Sequence, residues 1–486
     1  MESPENQTAS RWALGLASAV SFMVSLDSQV VATALPVIQA RLHASLAALE
    51  WTVNAYTLSF AVLLLTGAAL GERLGRRRML AAGVGLFTAA SAACALAPNA
   101  GALIAARAVQ GAGAALMLPL ALASLSAAFP PHRRAWALGI FSSVTGIAVL
   151  AGPVVGGAVT QGLAWTWIFW LNVPVGAVLI PLLLARMPAA STNRTPFDLP
   201  GLILATGGAL GLVWGLIRAN SIGWASPQIT ATLAAGALLT AAFIGWELRS
   251  AHPMVPVRMF GQRAFAAGNA ATFATFAMLF AMVFFMAQFL QDGLGYGPLG
   301  TGLRLLPGWG MLALIAPFAG RLIARVGERP LIAGGLTAAA AGLAWIALIA
   351  RTGLPYAELV APLVLMGCGV SVTVPAAMSA VMTTAPASAI GAASGTVNML
   401  RQLGAVFGIA IVAAVFAAHG SYASPAAFIS GFRPAVAACA GLGLLGAAAG
   451  LLIPGRPRQA QQTILDEQRG LSAPRTATRV RLASPG

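Results

Sequence analysis

The sequence contains no lysine, so every permanently charged basic side chain is an arginine. A phosphate-binding loop needs a lysine to reach the nucleotide phosphates, and the chain therefore cannot hydrolyse ATP by that route. Acidic residues are also few, with 12 aspartates and glutamates, and charged residues make up 8% of the chain. Neither a serine–histidine–acid constellation nor a pair of catalytic carboxylates is evident, so the sequence does not indicate an enzyme.

Histidine and cysteine are scarce and scattered. All four histidines fall between the apolar segments, where they form no cluster: His43, His132, His252 and His419. All three cysteines fall within apolar segments that are far apart in sequence: Cys94, Cys368 and Cys439. We therefore expect inert core thiols, and no disulfide framework, metal site or other cofactor.

What the chain has in abundance is apolar sequence. Hydrophobic residues make up 58% of its 486 residues and the mean hydropathy is +0.83, more than a soluble domain of this size can bury. The chain is therefore predicted to be an all-α polytopic membrane protein. Windows of about 20 apolar residues predict fourteen spans, near 12–36, 51–70, 79–97, 102–126, 135–159, 165–185, 199–217, 227–246, 265–290, 302–323, 331–350, 358–382, 389–417 and 434–454.

Arginine placement predicts the orientation of these spans, because arginines near short loops favour the cytoplasmic side. With the amino terminus inside, most of the 28 arginines fall on inside segments. Four fall on outside segments: Arg41, Arg218, Arg351 and Arg433. We therefore expect a multi-pass protein of a bacterial cytoplasmic membrane with both termini in the cytoplasm. The net charge of +16 follows this topology, so we expect no nucleic-acid partner.

Asp27 is the first candidate functional residue, because it lies about two-thirds of the way along the first predicted span. Burying an ionisable group at membrane depth costs on the order of 3 kcal/mol, and such groups usually serve protons or ions. Asp27 lies about 13 Å from the outer end of its span, and Arg107 lies about 7 to 8 Å from the outer end of the fourth span. The two side chains can meet, either as a proton-coupling pair or as a static ion pair that clamps these spans.

An internal duplication organises the chain. The loop 67–78 after the second span and the loop 320–329 after the tenth both carry an arginine two residues before a glycine, followed by more arginine. These loops occupy the same place if spans 1 to 6 and 9 to 14 form two halves. Repeated halves with a central site are typical of alternating-access transporters.

The duplication predicts a division of the chain into six parts. These are a cytoplasmic N-terminus (1–11), an N-terminal six-helix half (12–186), a linker with two inserted helices (187–248), a cytoplasmic linker (249–263), a C-terminal six-helix half (264–454) and a disordered cytoplasmic tail (455–486).

Six short motifs, found in order along the chain, carry a family resemblance. They are Leu26-Asp27 through Leu35-Pro36, the loop 67–78, the segment 107–113, the segment 152–157, Trp165–Phe169 with Asn172-Val173-Pro174, and Asn398 with the segment 401–404. Together they resemble the fourteen-span drug/proton antiporter branch of the major facilitator superfamily.

This resemblance implies two six-helix halves plus two inserted helices, fourteen transmembrane helices in all. It also implies export of a small, often lipophilic compound against proton entry, with Asp27 and Arg107 in proton coupling. Such a carrier is driven by the proton gradient, needs no cofactor and is expected to function as a monomer in the lipid bilayer.

The resemblance assigns a gating role to the loop after the second span. The residues concerned are Gly71, Glu72, Arg73, Gly75, Arg76 and Arg77. Glu72 stands where relatives usually have aspartate, and the second copy has Ala324 at that place. Simple topology is the alternative, since arginines at an inner loop need no further reason.

The fifth span carries the residues of the antiporter motif: Gly152, Pro153, Gly156 and Gly157. The resemblance implies a bend and a tight seal between the halves that limits proton leak. Ala148 replaces a more usual glycine. Close packing of small residues is the alternative explanation for this pattern.

Seven residues are candidates for the substrate cavity: Gln110, Phe276, Phe280, Ser394, Asn398, Arg401 and Gln402. Aromatic side chains can repack around varied ligands, but interhelical hydrogen bonds or lipid contacts explain these positions equally well. Because Asp27 is the one acid predicted deep in the membrane, we expect neutral or monocationic lipophilic cargo. An exporter of a dedicated metabolite, a proton-linked importer and a sensor that does not transport are the alternatives.

Overall fold

Long apolar helices make up almost all of the part of the chain that the computed structural model describes, residues 4–188, 198–251, 253–386 and 390–454, where no strand is found. They are α1 (Pro4–Leu42), α2 (Leu46–Leu74), α3 (Arg76–Ala95), α4 (Ala100–Ala128), α5 (Pro131–Gly162), α6 (Trp167–Trp170), α7 (Asn172–Arg186), α8 (Leu199–Ile222), α9 (Pro227–Arg249), α10 (Arg263–Gln288), α11 (Pro298–Val326), α12 (Glu328–Ile349), α13 (Tyr356–Met382), α14 (Ile390–His419) and α15 (Pro425–Leu451). A 3₁₀ turn (Val257–Gly261) precedes α10, and a π-helical turn (Phe289–Gly293) extends it.

The predicted spans match these helices closely. Within the described residues, 13 stretches are long and apolar enough to cross a membrane. The remaining predicted span, 302–323, lies in α11, a helix of 29 residues. Helices α6 and α7 together form the sixth span. The predicted tail 455–486 and the linker residues 189–197, with Arg194, lie outside the described residues.

Several helices begin earlier than hydropathy predicts, and α1 and α2 are two examples. Helix α1 begins at Pro4 instead of 12, so residues assigned to a separate N-terminus continue the helix. Helix α2 begins at Leu46 instead of 51, because the Ser45 hydroxyl accepts a hydrogen bond from the Ala48 backbone N–H and caps the first turn. Apolar windows miss such polar helix ends, which project beyond the membrane core.

The four histidines were expected in the segments that connect the apolar spans, and those that the structure describes lie at helix ends or in a turn. His132 lies in the first turn of α5, and His419 is the last residue of α14. Pro131 can begin a helix because its missing N–H would be unpaired there anyway. His43 lies in the turn after α1, and His252 lies outside the described residues.

The duplicated loops adopt the same turn. Gly75 joins α2 to α3 with φ 97°, and Gly327 joins α11 to α12 with φ 86°, values that favour glycine. Both turns lie at one end of the bundle, called here the arginine-rich end. The opposite, arginine-poor end contains the turns at 43–45, 96–99, 163–166, 223–226, 294–297, 350–355 and 420–424.

Helices α1–α7 form one half and α10–α15 the other, and equivalent helices pack in the same way. A Cβ built on Gly113 of α4 would lie 2.7 Å from the Phe87 backbone nitrogen of α3. In the second half, a Cβ on Gly369 of α13 would lie 2.2 Å from the Gly335 carbonyl oxygen of α12. Small residues let membrane helices approach this closely, which is how apolar helices gain packing energy within lipid.

The halves are held together toward the arginine-poor end. The Gln291 side chain donates a hydrogen bond to the Thr33 carbonyl oxygen at 2.9 Å. The Leu299 backbone N–H donates to Gln161 Oε1 at 3.1 Å. The first bond joins α1 to the π-helical turn after α10, and the second joins α5 to the first turn of α11, so this end of the bundle is closed.

The inserted helices α8 and α9 pack tightly on each other, since a Cβ on Gly236 of α9 would lie 2.7 Å from the Leu212 backbone nitrogen. Helix α8 also contacts one helix of each half. Its residues Ala209, Val213 and Ile217 form a buried apolar cluster with Leu58 and Val62 of α2 and Val406 and Ala410 of α14. The insert therefore covers one side of the interface between the halves.

Candidate functional site

Asp27 is a buried carboxylate in the middle of α1, with 2% of its surface exposed. Arg107 Nη1 donates a hydrogen bond to Asp27 Oδ2 at 2.6 Å. Gln110 Nε2 and Asn172 Nδ2 donate to Asp27 Oδ1 at 2.9 Å and 2.8 Å. Helices α4 and α7 thus supply three donors, an arrangement that suits a charged carboxylate.

Arg107 of α4 is equally buried, at 1% exposed, and its charge faces that of Asp27. Its Nε also donates to the Thr52 carbonyl oxygen at 3.2 Å. The guanidinium lies 4.1 Å from the centre of the Tyr56 ring, a cation–π contact. The structure thus brings together the two residues that the sequence suggested can meet.

Gln110 lies inside this network. It is fully buried, and its Oε1 accepts a hydrogen bond from Arg107 Nη1 at 2.6 Å. Its Nε2 donates to Ser91 Oγ at 2.6 Å as well as to Asp27. These bonds hold Gln110 against Asp27, so the geometry indicates a positioning role for Gln110.

Sequence reasoning missed two members of the network, Ser91 of α3 and Asn172 at the start of α7. Asn172 Nδ2 donates to Ser91 Oγ at 3.1 Å in addition to Asp27. Each is a polar residue within an otherwise apolar predicted span, and this polarity was a sequence feature that could have marked them as site residues. Asn172 reaches the network because the chain changes from α6 to α7 at Leu171, one residue before it.

A small cavity lies beside the network, at the interface between the halves. The first half contributes Ser28, Gln29, Val31, Ala32, Val53, Tyr56, Thr57 and Arg107, and the second contributes Phe280, Val283, Phe284 and Ile409. Phe280 therefore lines a cavity that also reaches Arg107. Phe276 lies one turn away and is 6% exposed, with its ring centre 6.2 Å from that of Phe280.

The polar residues of α14 lie next to Phe276. Arg401 Nη1 donates to Asn398 Oδ1 at 3.2 Å, and its guanidinium lies 4.4 Å from the centre of the Phe276 ring. Asn398 Nδ2 donates to the Ser394 carbonyl oxygen at 3.0 Å. Gln402 is half-buried. The structure thus joins Asn398, Arg401 and Phe276 into one group, and Ser394 contributes to it through its backbone.

The glycine motif of α5 has two faces. Gly152 and Gly156 face α1, where added Cβ atoms would lie 2.3 Å from Gln29 Cβ and 2.3 Å from Thr33 Oγ1. Gly157 faces α11 of the other half. The Pro153 carbonyl oxygen also touches α11, since a Cβ on Gly302 would lie 2.2 Å from it. The motif therefore packs α5 against its own half and against the other half at once.

The loop at the arginine-rich end contains an ion pair of its own. Arg76 Nε and Nη2 donate to Glu72 Oε1 at 2.9 Å and 2.5 Å. Gly71 packs against Leu120 of α4, and Arg73 is exposed. Gly75 provides the turn, and Arg77 is half-buried at the start of α3.

Glu50 is a second buried acid that sequence reasoning overlooked. It lies in the first turns of α2 with 3% of its surface exposed, and its Oε2 has no hydrogen-bond partner among the described residues. The predicted span began at 51, so Glu50 fell outside it. The pKa of Tyr422, in the turn after α14, is raised well above its usual value by burial and by the carboxylates of Asp292 and Glu50. Acids of both halves therefore lie near this tyrosine at the arginine-poor end.

The network around Asp27 is built on one carboxylate, a group that can bind a proton, beside a buried guanidinium. A proton on Asp27 would remove the negative charge that balances Arg107. The cavity between the halves adjoins Arg107, so protonation of Asp27 would change the net charge beside a surface that both halves share.

Comparison with known proteins agrees with the fold. The profile of the Major Facilitator Superfamily matches residues 17–409 and again 270–485. The Cephamycin export protein CmcT of Amycolatopsis lactamdurans is 36% identical over 461 residues, covering 93% of each chain. The Puromycin resistance protein pur8 of Streptomyces alboniger is 35% identical over 473 residues, again covering 93% of each chain.

A third relative, the Tetracenomycin C resistance and export protein of Streptomyces glaucescens, is 36% identical over 412 residues, 84% of this chain and 76% of the relative. Among solved structures, the peptide transporter POT in complex with sulfate superposes with a TM-score of 0.68 at 17% identity, covering 93% of this chain and all of that one. That likeness concerns the fold alone. The repeated halves and these matches show that the chain belongs to the Major Facilitator Superfamily of membrane transporters.

Proposed function

We propose that the chain is a proton-coupled antiporter that exports small lipophilic compounds by alternating access. The observation that carries this proposal is the Asp27–Arg107 pair, which is 2.6 Å long, nearly inaccessible to solvent and next to the cavity between the halves. An ionisable residue kept at membrane depth usually serves ion or proton movement. The names of the three relatives, which state export or resistance, support export of drug-like molecules.

The carrier lies in a bacterial cytoplasmic membrane with both termini in the cytoplasm. The arginine-rich end then faces the cytoplasm, in agreement with the preference of arginine for that side. The closed, arginine-poor end faces outward. The conformation described here is accordingly shut to the outside.

Export requires that this outer closure open while the cytoplasmic end closes. The α5 glycines let α1, α5 and α11 approach closely, and this approach limits passage of protons around the site. In the conformation described here Glu72 and Arg76 pair within one loop. When the cytoplasmic end closes, this acid and the neighbouring arginines become available to bridge the halves.

Coupling follows from charge balance at Asp27. With Asp27 ionised, Arg107 is neutralised and the first half presents no net charge to the cavity. With Asp27 protonated, Arg107 carries an unbalanced charge, which alters the affinity of the cavity for cargo and the cost of burying it. Gln110, Asn172 and Ser91 hold Asp27 in place in either state. The proton gradient supplies the energy, and the mechanism needs neither a cofactor nor a second subunit.

Export of one dedicated metabolite is the second candidate. The relatives compared above are named after single compounds, which favours a narrow range of cargo. The two candidates share the coupling machinery and differ in the number of compounds exported. A susceptibility panel in an efflux-deficient host separates them, because a dedicated exporter would protect against one chemical type.

The test uses everted membrane vesicles that contain the full chain, energised by respiration and supplied with aromatic dyes of each charge class. We expect dye uptake that an uncoupler abolishes, accompanied by proton release from the vesicle lumen. Asp27→Asn should abolish the exchange while the protein remains folded in the membrane. The matched control is Asp292→Asn, which alters an acid outside the Asp27 network.

Two results would contradict the proposal. One is uptake that persists in the Asp27→Asn vesicles, because the proton would then bind elsewhere. The other is uptake in right-side-out vesicles only, because the chain would then be an importer.

A further inference from the structure

Arg401 is a second arginine at membrane depth, near the middle of α14. Its Nη1 donates to Asn398 Oδ1 at 3.2 Å, and its guanidinium lies 4.4 Å from the centre of the Phe276 ring. Its Nε atom is buried and has no hydrogen-bond partner among the described residues. None of the carboxylates among the described residues forms an ion pair with the Arg401 guanidinium.

The contrast with Arg107 shows what Arg401 lacks. Arg107 has a carboxylate at 2.6 Å and further acceptors in Gln110 and Thr52. Arg401 has one amide oxygen and an aromatic face. The described carboxylates of the second half lie at helix ends or in a turn: Asp292, Glu328 and Glu358. An unneutralised guanidinium within the membrane costs several kcal/mol, so its presence calls for a function.

The position of Arg401 connects it to the cavity between the halves. Phe276 contacts both Arg401 and Phe280, and Phe280 lines the cavity together with Arg107. Both α10 and α14 run from the arginine-rich end toward the arginine-poor end. Arg401 therefore lies between the cavity and the arginine-rich end. With the opposite end closed, a compound that enters the bundle meets Arg401 before it meets Asp27.

We propose that Arg401 binds the carboxylate of an aromatic organic anion, with Phe276 against the aromatic part of that molecule. A guanidinium presents a planar fork of donors that matches a carboxylate, and Arg401 has donors left to offer. This inference rests on the proposed function and names the chemical class of the cargo. It differs from the neutral or monocationic cargo expected from the sequence, because Asp27 is fully occupied by three donors whereas Arg401 is not.

The test is equilibrium binding of two dyes to the purified full-length protein in nanodiscs, followed by fluorescence anisotropy. Fluorescein carries a carboxylate, and rhodamine 6G is a cationic ester with the same xanthene ring system. We expect fluorescein to bind, Arg401→Gln to weaken its affinity by about tenfold or more, and Arg401→Lys to restore part of the loss. Rhodamine 6G affinity should be unchanged or higher in Arg401→Gln.

Two controls make the measurement specific. Arg351→Gln removes an exposed arginine at the arginine-poor end and should leave the binding of both dyes unchanged. Arg401→Lys keeps the charge, so a folded lysine variant that binds fluorescein more tightly than the glutamine variant separates charge from packing. Thermal unfolding of each variant verifies that it is folded.

Equal fluorescein affinity in wild type and Arg401→Gln would overturn the inference, as would displacement of fluorescein by chloride alone at equal concentration. Failure of the proposed function gives a different pattern. Arg401-dependent fluorescein binding without proton-linked exchange would retain the anion site and reject the antiporter. Uncoupler-sensitive export of rhodamine 6G without fluorescein binding would retain the antiporter and reject the anion site.

Discussion

Gly157 of α5 packs directly against the backbone of Pro298 at the start of α11, so that a Cβ on Gly157 would lie 2.3 Å from the Pro298 carbonyl oxygen. The two residues belong to opposite halves. The atoms nearest to this added Cβ belong to the backbone of Pro298 and Leu299, so no flexible side chain could move aside to make room for it. The closure at the arginine-poor end therefore depends on the absence of a side chain at this position.

The first prediction concerns this contact. Gly157→Val should push α5 and α11 apart and destabilise the closed conformation by about 1–3 kcal/mol, the usual cost of overpacking. We expect a lower unfolding temperature in detergent and a faster proton leak in vesicles without cargo. Gly162→Val is the matched control on the same helix, because a Cβ there has no neighbour within 4 Å. Equal leak in the two variants would show that the contact does not seal the interface.

The second prediction concerns the buried ion pair. Arg107→Gln leaves the Asp27 carboxylate without its counter-charge, and Asp27→Asn leaves Arg107 without its own, so each single variant should lose about 3–5 kcal/mol of stability. The double variant Asp27→Asn/Arg107→Gln removes both charges and should be more stable than either. Thermal unfolding of the four proteins measures the coupling between the residues. Strictly additive losses would mean that the pair contributes no interaction energy.

The third prediction concerns the residues that position Asp27. Asn172→Ala removes a donor to the carboxylate and should cost about 1.5–3 kcal/mol, whereas Ser91→Ala removes a neutral partner and should cost about 0.5–1.5 kcal/mol. We expect Asn172→Ala to slow proton-linked exchange and to displace its pH optimum, because the environment of the acid changes. Ser91→Ala should move the optimum less. An unchanged pH profile in both variants would reduce these residues to a packing role.

The fourth prediction separates gating from topology in the loop at the arginine-rich end. Glu72 and Arg76 are partly exposed, at 30% and 22%, so their pair contributes about 0.2–1 kcal/mol at most. Glu72→Ala should therefore leave the unfolding temperature nearly unchanged. A gating role predicts a large loss of exchange rate in Glu72→Ala and its recovery in Glu72→Asp. Normal exchange in Glu72→Ala would leave the arginines as topology signals.

Depth and repetition along the sequence predicted a good part of this molecule. The positions of Asp27 and Arg107 in their spans indicated that the two side chains can meet, and they lie in contact. The repeated arginine–glycine loops predicted two equivalent halves, and Gly75 and Gly327 adopt the same positive-φ turn. Such features are local or periodic, so they can be recognised before the fold is known.

The rest depends on tertiary contacts and on helix ends. Asn172 belongs to a family motif, but neither it nor Ser91 could be assigned to Asp27 until α3 and α7 bring them together. Glu50 lies one residue before a predicted span, and the Ser45 cap that extends α2 carries it into the buried region. The sequence places one acid, Asp27, deep in the membrane, but it does not show that this acid pairs with Arg107 and leaves Arg401 without a carboxylate.

The placement of α8 has a consequence for access from the bilayer. Molecules dissolved among the acyl chains can approach the interface between the halves along two sides, where α2 meets α14 or where α5 meets α11. Because α8 packs on both α2 and α14, it covers the side of the interface where these two helices meet. The inserted helices thereby shield the α2–α14 side from lipid, whereas the α5–α11 side closes through direct backbone contact at Gly157 and Pro298, so the two lateral sides of the carrier are not equivalent.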